Sequence, residues 1–166
     1  QVGQYIRDDG PQTHRGKAGT PTMGGVLIVA AVTLATLLWS DLTDPFIWIA
    51  LLVLLGFAAV GFIDDYLMQV KKQSKGLSVR GKLALQTGVA LVAGVWVYLS
   101  PNFSTEVTVP FFKTAAPDLG WGYIVFAMLV IVGASNAVNL TDGLDGLAIG
   151  PVIIAAATYM VFAYIA

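Results

Sequence analysis

The sequence predicts an all-α fold, a polytopic transmembrane helical bundle, and three observations carry that expectation. Hydrophobic residues fill 57% of the 166 positions and charged residues only 11%, against about 25% charged in soluble domains. The apolar residues gather into five stretches, each close to the ~20 residues a helix needs to cross a bilayer. Within those stretches, at 51–63 and 123–132, no charge falls on any helical face, so the polar stripe of a soluble bundle helix is missing.

The elements follow in order. Residues 1–23 are polar and Gly-rich, without the basic start and apolar centre of a signal peptide, and read as a loop. The first predicted helix, 24–40, opens just after Pro21, and the second, 46–63, opens after Pro45. A polar segment over 64–82 carries Lys71, Lys72, Lys75, Arg80 and Lys82. The third helix, 83–99, stops before Pro101. Residues 100–120 form a loop in which Thr105 to Val109 alternate and Pro110 follows, a pattern that predicts a short hairpin. The fourth helix covers 121–138, a loop covers 139–147, and the fifth helix covers 147–166. At ~1.5 Å per residue each helix reaches roughly 25 to 30 Å. The chain thus reads as one membrane domain over 1–166. It opens on a loop and stops directly after an apolar run, so a piece of a longer protein is expected.

Basic residues orient the bundle. Alternating helices put Arg7, Arg15, Lys17, Lys71, Lys72, Lys75, Arg80 and Lys82 on one side and leave Lys113 alone opposite. That asymmetry makes loops 1–23, 64–82 and 139–147 cytoplasmic and loops 41–45 and 100–120 external. The absence of cysteine excludes disulfides, thiolate nucleophiles and Cys-ligated metals, and the lone His14 excludes a multi-histidine site within this chain.

The acids then converge. Asp64 and Asp65 close the second apolar run, and Asn136, Asn139, Asp142 and Asp145 close the fourth, all on the basic side. Charge near hydrocarbon costs several kcal/mol unless it meets water, a metal or a partner, so these acids are functional candidates. Oxygen ligands suit a hard divalent cation such as magnesium, which commonly bridges substrate phosphates, while lysines neutralise the remaining charge. The lysines serve equally as topology signals or anionic-lipid contacts. The run Gly19-Thr20-Pro21-Thr22-Met23-Gly24-Gly25 offers hydroxyls, amides and a helix start to an anion, or is turn punctuation. In Asn139-Leu140-Thr141-Asp142-Gly143-Leu144-Asp145-Gly146 two acids stand three apart, on one helical face or in a tight turn. Neither run has the Walker spacing of a nucleoside-triphosphate site.

These runs, with Gly61-Phe62-Ile63-Asp64-Asp65-Tyr66 and the stretch from Asn136 through Ala148, resemble the signature blocks of the phospho-N-acetylmuramoyl-pentapeptide transferase family. That family sits within the polyprenyl-phosphate phosphosugar transferase superfamily. The blocks occur in the family's order, and Ser74-Lys75-Gly76-Leu77 with Lys82 resembles its cytoplasmic loop. The resemblance implies a multi-pass enzyme of the bacterial cytoplasmic (inner) membrane, active on its cytoplasmic face. It would transfer phospho-MurNAc-pentapeptide from UDP-MurNAc-pentapeptide to undecaprenyl phosphate, giving lipid I and UMP for peptidoglycan synthesis, with Mg²⁺. Asp64 and Asp65 would sit in the catalytic centre near the metal. Lys17 and Thr22, with Asn139, Asp142 and Asp145, would line the nucleotide end, and Lys75 and Lys82 would meet phosphates. Whether an Asp accepts a proton or acts as a nucleophile stays open, with direct attack by the lipid phosphate favoured, because a phosphate monoester of second pKa ≈ 6 is largely ionised at neutral pH.

The family carries about ten membrane helices against five here, together with a later Asp-bearing loop and a histidine-rich motif. The 166-residue chain alone is therefore expected to be inactive. Membrane lipids and a second copy of the chain are expected partners, and nucleic acid is not. The small residues Gly56 to Gly61 and Gly88 to Gly94 suit either a dimer seam or packing within one chain. Related polyprenyl-phosphate N-acetylhexosamine-1-phosphate transferases share the acid pair, although Pro21 to Gly25 and Asn139 to Asp142 look more like the muramoyl branch. A cation channel or transporter is a further alternative, disfavoured because the acids cluster at one membrane face. A non-catalytic truncated membrane domain is the last.

Overall fold

A computed structural model describes residues 24–71, 76–101, 103–109, 112, 115–141 and 147–165. Five helices follow one another: α1 (Gly24–Trp39), α2 (Pro45–Gln69), α3 (Val79–Leu99), α4 (Gly122–Thr141) and α5 (Ile149–Ile165). Three of them, over Pro45–Met68, Val79–Leu99 and Gly122–Thr141, are long and apolar enough to cross a membrane. Helices α1 and α5 are equally apolar but have 16 and 17 residues, about 24 to 26 Å at ~1.5 Å per residue. No extended strand occurs among the described residues, and the protein is all-helical as expected. The chain divides into two compact units, Gln1–Met128 and Leu129–Ala166, with the division inside α4.

The helix ends depart from the apolar runs, and capping explains how. Asp44 caps α2, its carboxylate accepting from Phe46 N at 2.8 Å with Pro45 in the first turn. The helix then runs on past Ile63 to Gln69, so Asp64 and Asp65 are helical. At ~1.5 Å per residue α2 is about 37 Å long, more than the ~30 Å of hydrocarbon, which leaves its last turns free to be polar. Ser78 caps α3, accepting from Gly81 N at 3.1 Å. That cap brings Arg80 and Lys82 inside the helix, where long straight side chains are well tolerated.

In the first unit α2 packs against both α1 and α3. Gly56 makes the α2–α3 approach possible, since a Cβ there would lie 2.6 Å from Val89 Cγ1. The buried face of α3, Gln86, Ala90, Ala93 and Gly94, steps at helical period. At Gly94 a Cβ would meet Ile124 O at 3.3 Å, so α3 also closes tightly on the first turns of α4. Gly56 and Gly94 thus serve packing within the chain, whereas Gly61 and Gly88 face open space.

Residues 105–109 and 115–119 pair in antiparallel sense without forming a strand, and residues 110, 111, 113 and 114 of the expected hairpin lie outside the described residues. Leu119 N donates to Thr105 O, Val107 N to Pro117 O and Val109 N to Ala115 O, at 3.0 to 3.1 Å. Thr105, Val107 and Val109 are half-buried while Glu106 and Thr108 are exposed, the period of two that a pleated strand imposes. Phe103 fastens the start of the segment through rings at 4.9 Å from Tyr123 and 6.3 Å from Phe46. In the second unit the rest of α4 is followed by α5, an apolar helix whose side chains are exposed almost throughout.

Candidate active site

Adjacent residues in an α-helix point about 100° apart, and α2 uses that rotation to send its two aspartates to different neighbours. Asp64 extends the stripe of Gly56 and Val60 at steps of four, the stripe that meets α3. Asp65 extends the stripe of Ala58, Gly61 and Phe62, which faces α1.

Across from Asp64, Lys82 opens the α3 stripe continued by Gln86, Val89 and Ala93. Its ammonium donates to Asp64 Oδ2 at 3.0 Å, and the two side chains are 26% and 16% exposed, respectively. Leu77 N donates to Asp64 Oδ1 at 2.8 Å. Gly76, at φ 54°, lets the linker backbone lie directly on that carboxylate, for a Cβ there would run into Asp64 Oδ1 and come within 2.9 Å of Met68 Cγ. Partial burial shields this pair from the salt screening that weakens exposed pairs.

Asp65 makes no hydrogen bond or ion pair with another described residue. It stands at the end of a cleft of about 400 Å³ between α1 and α2, walled by Gly25, Val26 and Val29 on one side and Ala58, Gly61 and Phe62 on the other. Its described lining is apolar apart from that carboxylate. A cavity of this make-up accepts a hydrocarbon chain along its walls and a polar or cationic group at its acidic end.

Among the described residues, no three His, Cys, Asp or Glu side chains gather closely enough to hold a metal ion by themselves. Magnesium asks for less, because it usually binds through one or two carboxylates and completes its shell with water and substrate phosphates. A hard carboxylate such as Asp65, without a hydrogen-bond or ion-pair partner among the described residues, fits that requirement.

Residues 47–166 match the family model described as glycosyl transferase family 4. The chain belongs to this family. Its residues 17–29 additionally match phospho-N-acetylmuramoyl-pentapeptide-transferase signature 1, the segment that joins the polar start to α1. Proteins named phospho-N-acetylmuramoyl-pentapeptide-transferase from Desulfatibacillum aliphaticivorans, Desulforapulum autotrophicum and Desulfotalea psychrophila are 66%, 61% and 57% identical to this family 4 chain. Each similarity covers 100% of the chain and 46% of the relative. The chain therefore spans about half the length of the curated relatives it matches.

Of the expected site residues in this glycosyl transferase family 4 chain, Asp64, Asp65 and Lys82 come together in the first unit. Lys82 is engaged with Asp64. Asn139 lies exposed in the last turn of α4, in the second unit, where the neighbouring Thr141 hydroxyl donates to Ala137 O at 2.9 Å. Lys17, Thr22, Lys75, Asp142 and Asp145 lie outside the described residues. Sequence reasoning missed the Leu77 amide and the apolar walls of the cleft. A backbone N–H has no residue signature, although Gly76 just before a Ser-capped helix marks a tight turn. The spacing of Ala58, Gly61, Phe62 and Asp65 was a legible helical stripe.

Proposed function

We propose that the whole protein transfers phospho-MurNAc-pentapeptide from UDP-MurNAc-pentapeptide to undecaprenyl phosphate, giving lipid I and UMP, in the bacterial cytoplasmic membrane. The observation that carries this reading is a carboxylate, Asp65, without a hydrogen-bond or ion-pair partner among the described residues, at the end of a cleft with apolar described walls in a glycosyl transferase family 4 chain. The hydrocarbon of a polyprenyl phosphate would lie along the apolar walls, and its anionic head would meet Asp65 only through a bridging divalent cation. The signature at 17–29 and the relatives' shared name support the muramoyl substrate. On this reading α1 and α5 also cross the bilayer, making five membrane helices here. The reactive end then faces the cytoplasm, an orientation supported by eight of nine basic residues falling on that side, and the family resemblance implies a second copy of the whole protein as partner.

In the reaction, an oxygen of the lipid phosphate bonds to the sugar-bearing phosphorus of the UDP substrate, and the bridging oxygen leaves with UMP. The lipid phosphate, with second pKa ≈ 6, is already mostly dianionic at neutral pH. Asp65 orients it and accepts any remaining proton. Two anions must approach each other, so the site needs positive charge more than a strong base. Bound magnesium, held by the Asp64–Asp65 end of α2 with Asp65 as its exposed donor, would supply charge neutralisation for both phosphates. Lys17, Thr22, Lys75, Asn139, Asp142 and Asp145 would line the nucleotide end. Lys82 contributes positive field beside the pair.

Magnesium-dependent UMP release by the whole protein, given undecaprenyl phosphate with UDP-MurNAc-pentapeptide or UDP-GlcNAc in parallel, tests the proposal. Release with the muramoyl substrate alone is expected. Exclusive use of UDP-GlcNAc would assign the chain to the N-acetylhexosamine-1-phosphate branch and overturn the substrate. Cation flux in liposomes with no UMP from either substrate would overturn the reaction.

A further inference from the structure

We propose that Asp64 and Asp65 divide their duties: Asp64, Lys82 and the Leu77 amide form a latch that positions the end of α2 against the start of α3, leaving Asp65 alone to meet phosphate or metal. The division rests on the transferase reading for the duty of Asp65, while the latch stands on geometry alone.

Three observations support it. Both Asp64 oxygens are engaged, Oδ1 by Leu77 N at 2.8 Å and Oδ2 by Lys82 Nζ at 3.0 Å. The Oδ1 side is covered by the Gly76 backbone, which has no room for even one more carbon. Asp65, about 100° around the helix, has neither engagement and borders the apolar cleft. The latch ties three points of chain: α2 at Asp64, the linker at Leu77 and α3 at Lys82. A carboxylate held this way fixes the helical rotation of α2 and with it the direction in which Asp65 points, and small misplacements of a reacting group are costly in rate. Lys82 is then a positioning residue and Asp65 a catalytic one.

The test uses the whole protein in lipid nanodiscs, with two independent readouts. The first is amide hydrogen exchange of the peptide carrying Leu77. Asp64→Ala, Lys82→Met and Gly76→Ala, the last with both charges intact, are each expected to accelerate it, and Asp65→Asn to leave it at the wild-type rate. The second is UMP release against magnesium concentration. Asp64→Asn, Lys82→Met and the double variant are expected to lower kcat by similar factors, within about twofold of one another, because residues of one network are not additive. Lys82→Arg restores turnover. The half-saturating magnesium concentration is expected to rise alike in Asp64→Asn and Lys82→Met and to rise most in Asp65→Asn. Wild-type exchange at Leu77 in Asp64→Ala and Gly76→Ala would sink the latch. A magnesium requirement in Asp64→Asn about tenfold or more above that of Lys82→Met, or multiplicative losses in the double variant, would make Asp64 a metal ligand in its own right and sink the division. If the wild-type protein releases no UMP, the transferase reading falls, and with it the duty assigned to Asp65, while the exchange comparison decides the latch.

Discussion

Gly56 on α2 faces Val89 on α3 so closely that an added Cβ would lie 2.6 Å from Val89 Cγ1 and 2.9 Å from Val89 Cγ2. Asp64 and Lys82 lie eight and seven residues nearer to the linker than Gly56 and Val89, along their own helices. Packing in the apolar middle of the pair therefore sets the reach of the ion pair at its end.

Gly56→Ala is expected to destabilise the first unit by about 1 to 3 kcal/mol, the usual cost of forcing extra volume into a close helix contact. Gly61→Ala and Gly88→Ala, with nothing within 4 Å of the new carbon, should stay within about 0.5 kcal/mol. Unfolding in detergent micelles titrated with SDS compares the three, and equal stabilities would contradict the close approach.

Asp44→Ala removes the acceptor for Phe46 N at the start of α2 and should cost about 0.5 to 2 kcal/mol. Asp44→Asn keeps an acceptor and should recover most of the loss. The same SDS titration measures both, and an Asn variant as weak as Ala would show that the cap is not the cause.

Asp118 titrates below the ordinary carboxylate range because the Thr105 hydroxyl donates to it and Gly120 N donates at 2.9 Å. Its folded pKa lies below its unfolded one, so its contribution to the hairpin is fully present above the unfolded pKa and is lost as pH falls through the folded value. Asp41 behaves likewise through the Thr43 hydroxyl and amide. Thr105→Val should move the Asp118 midpoint upward, toward the ordinary value. Carboxyl ¹³C shifts followed by NMR check this, and an unmoved midpoint would refute the assignment of cause.

Asp65→Asn in the whole protein is expected to lower UMP release by about 10² or more, the low end of what a positioned acid–base group contributes. Wild-type turnover in that variant would remove Asp65 from the reaction.

Hydropathy made the five helices legible from residues alone, because runs of 17 or more mostly apolar residues are patterns of composition. Helix ends were less legible. The apolar run stops at Ile63, but backbone hydrogen bonding continues through polar residues to Gln69, and a hydropathy pattern does not register a hydrogen bond. The opposite happens at α3, where Ser78 starts the helix ahead of its apolar run and places Lys82 one turn inside. That shift puts Lys82, expected in a loop, on a helix beside Asp64.

What residue order settled is the chemistry available: two carboxylates at the end of a long apolar run, small residues for close crossings and membership of glycosyl transferase family 4. Which carboxylate does what came from three dimensions. Consecutive side chains on a helix diverge by about 100°, so identical neighbours acquire different surroundings once α1 lies on one flank of α2 and α3 on the other. Asp64 meets a lysine and a backbone amide, and Asp65 meets an apolar cleft. Their identity is a property of the chain, but their difference is a property of the packing.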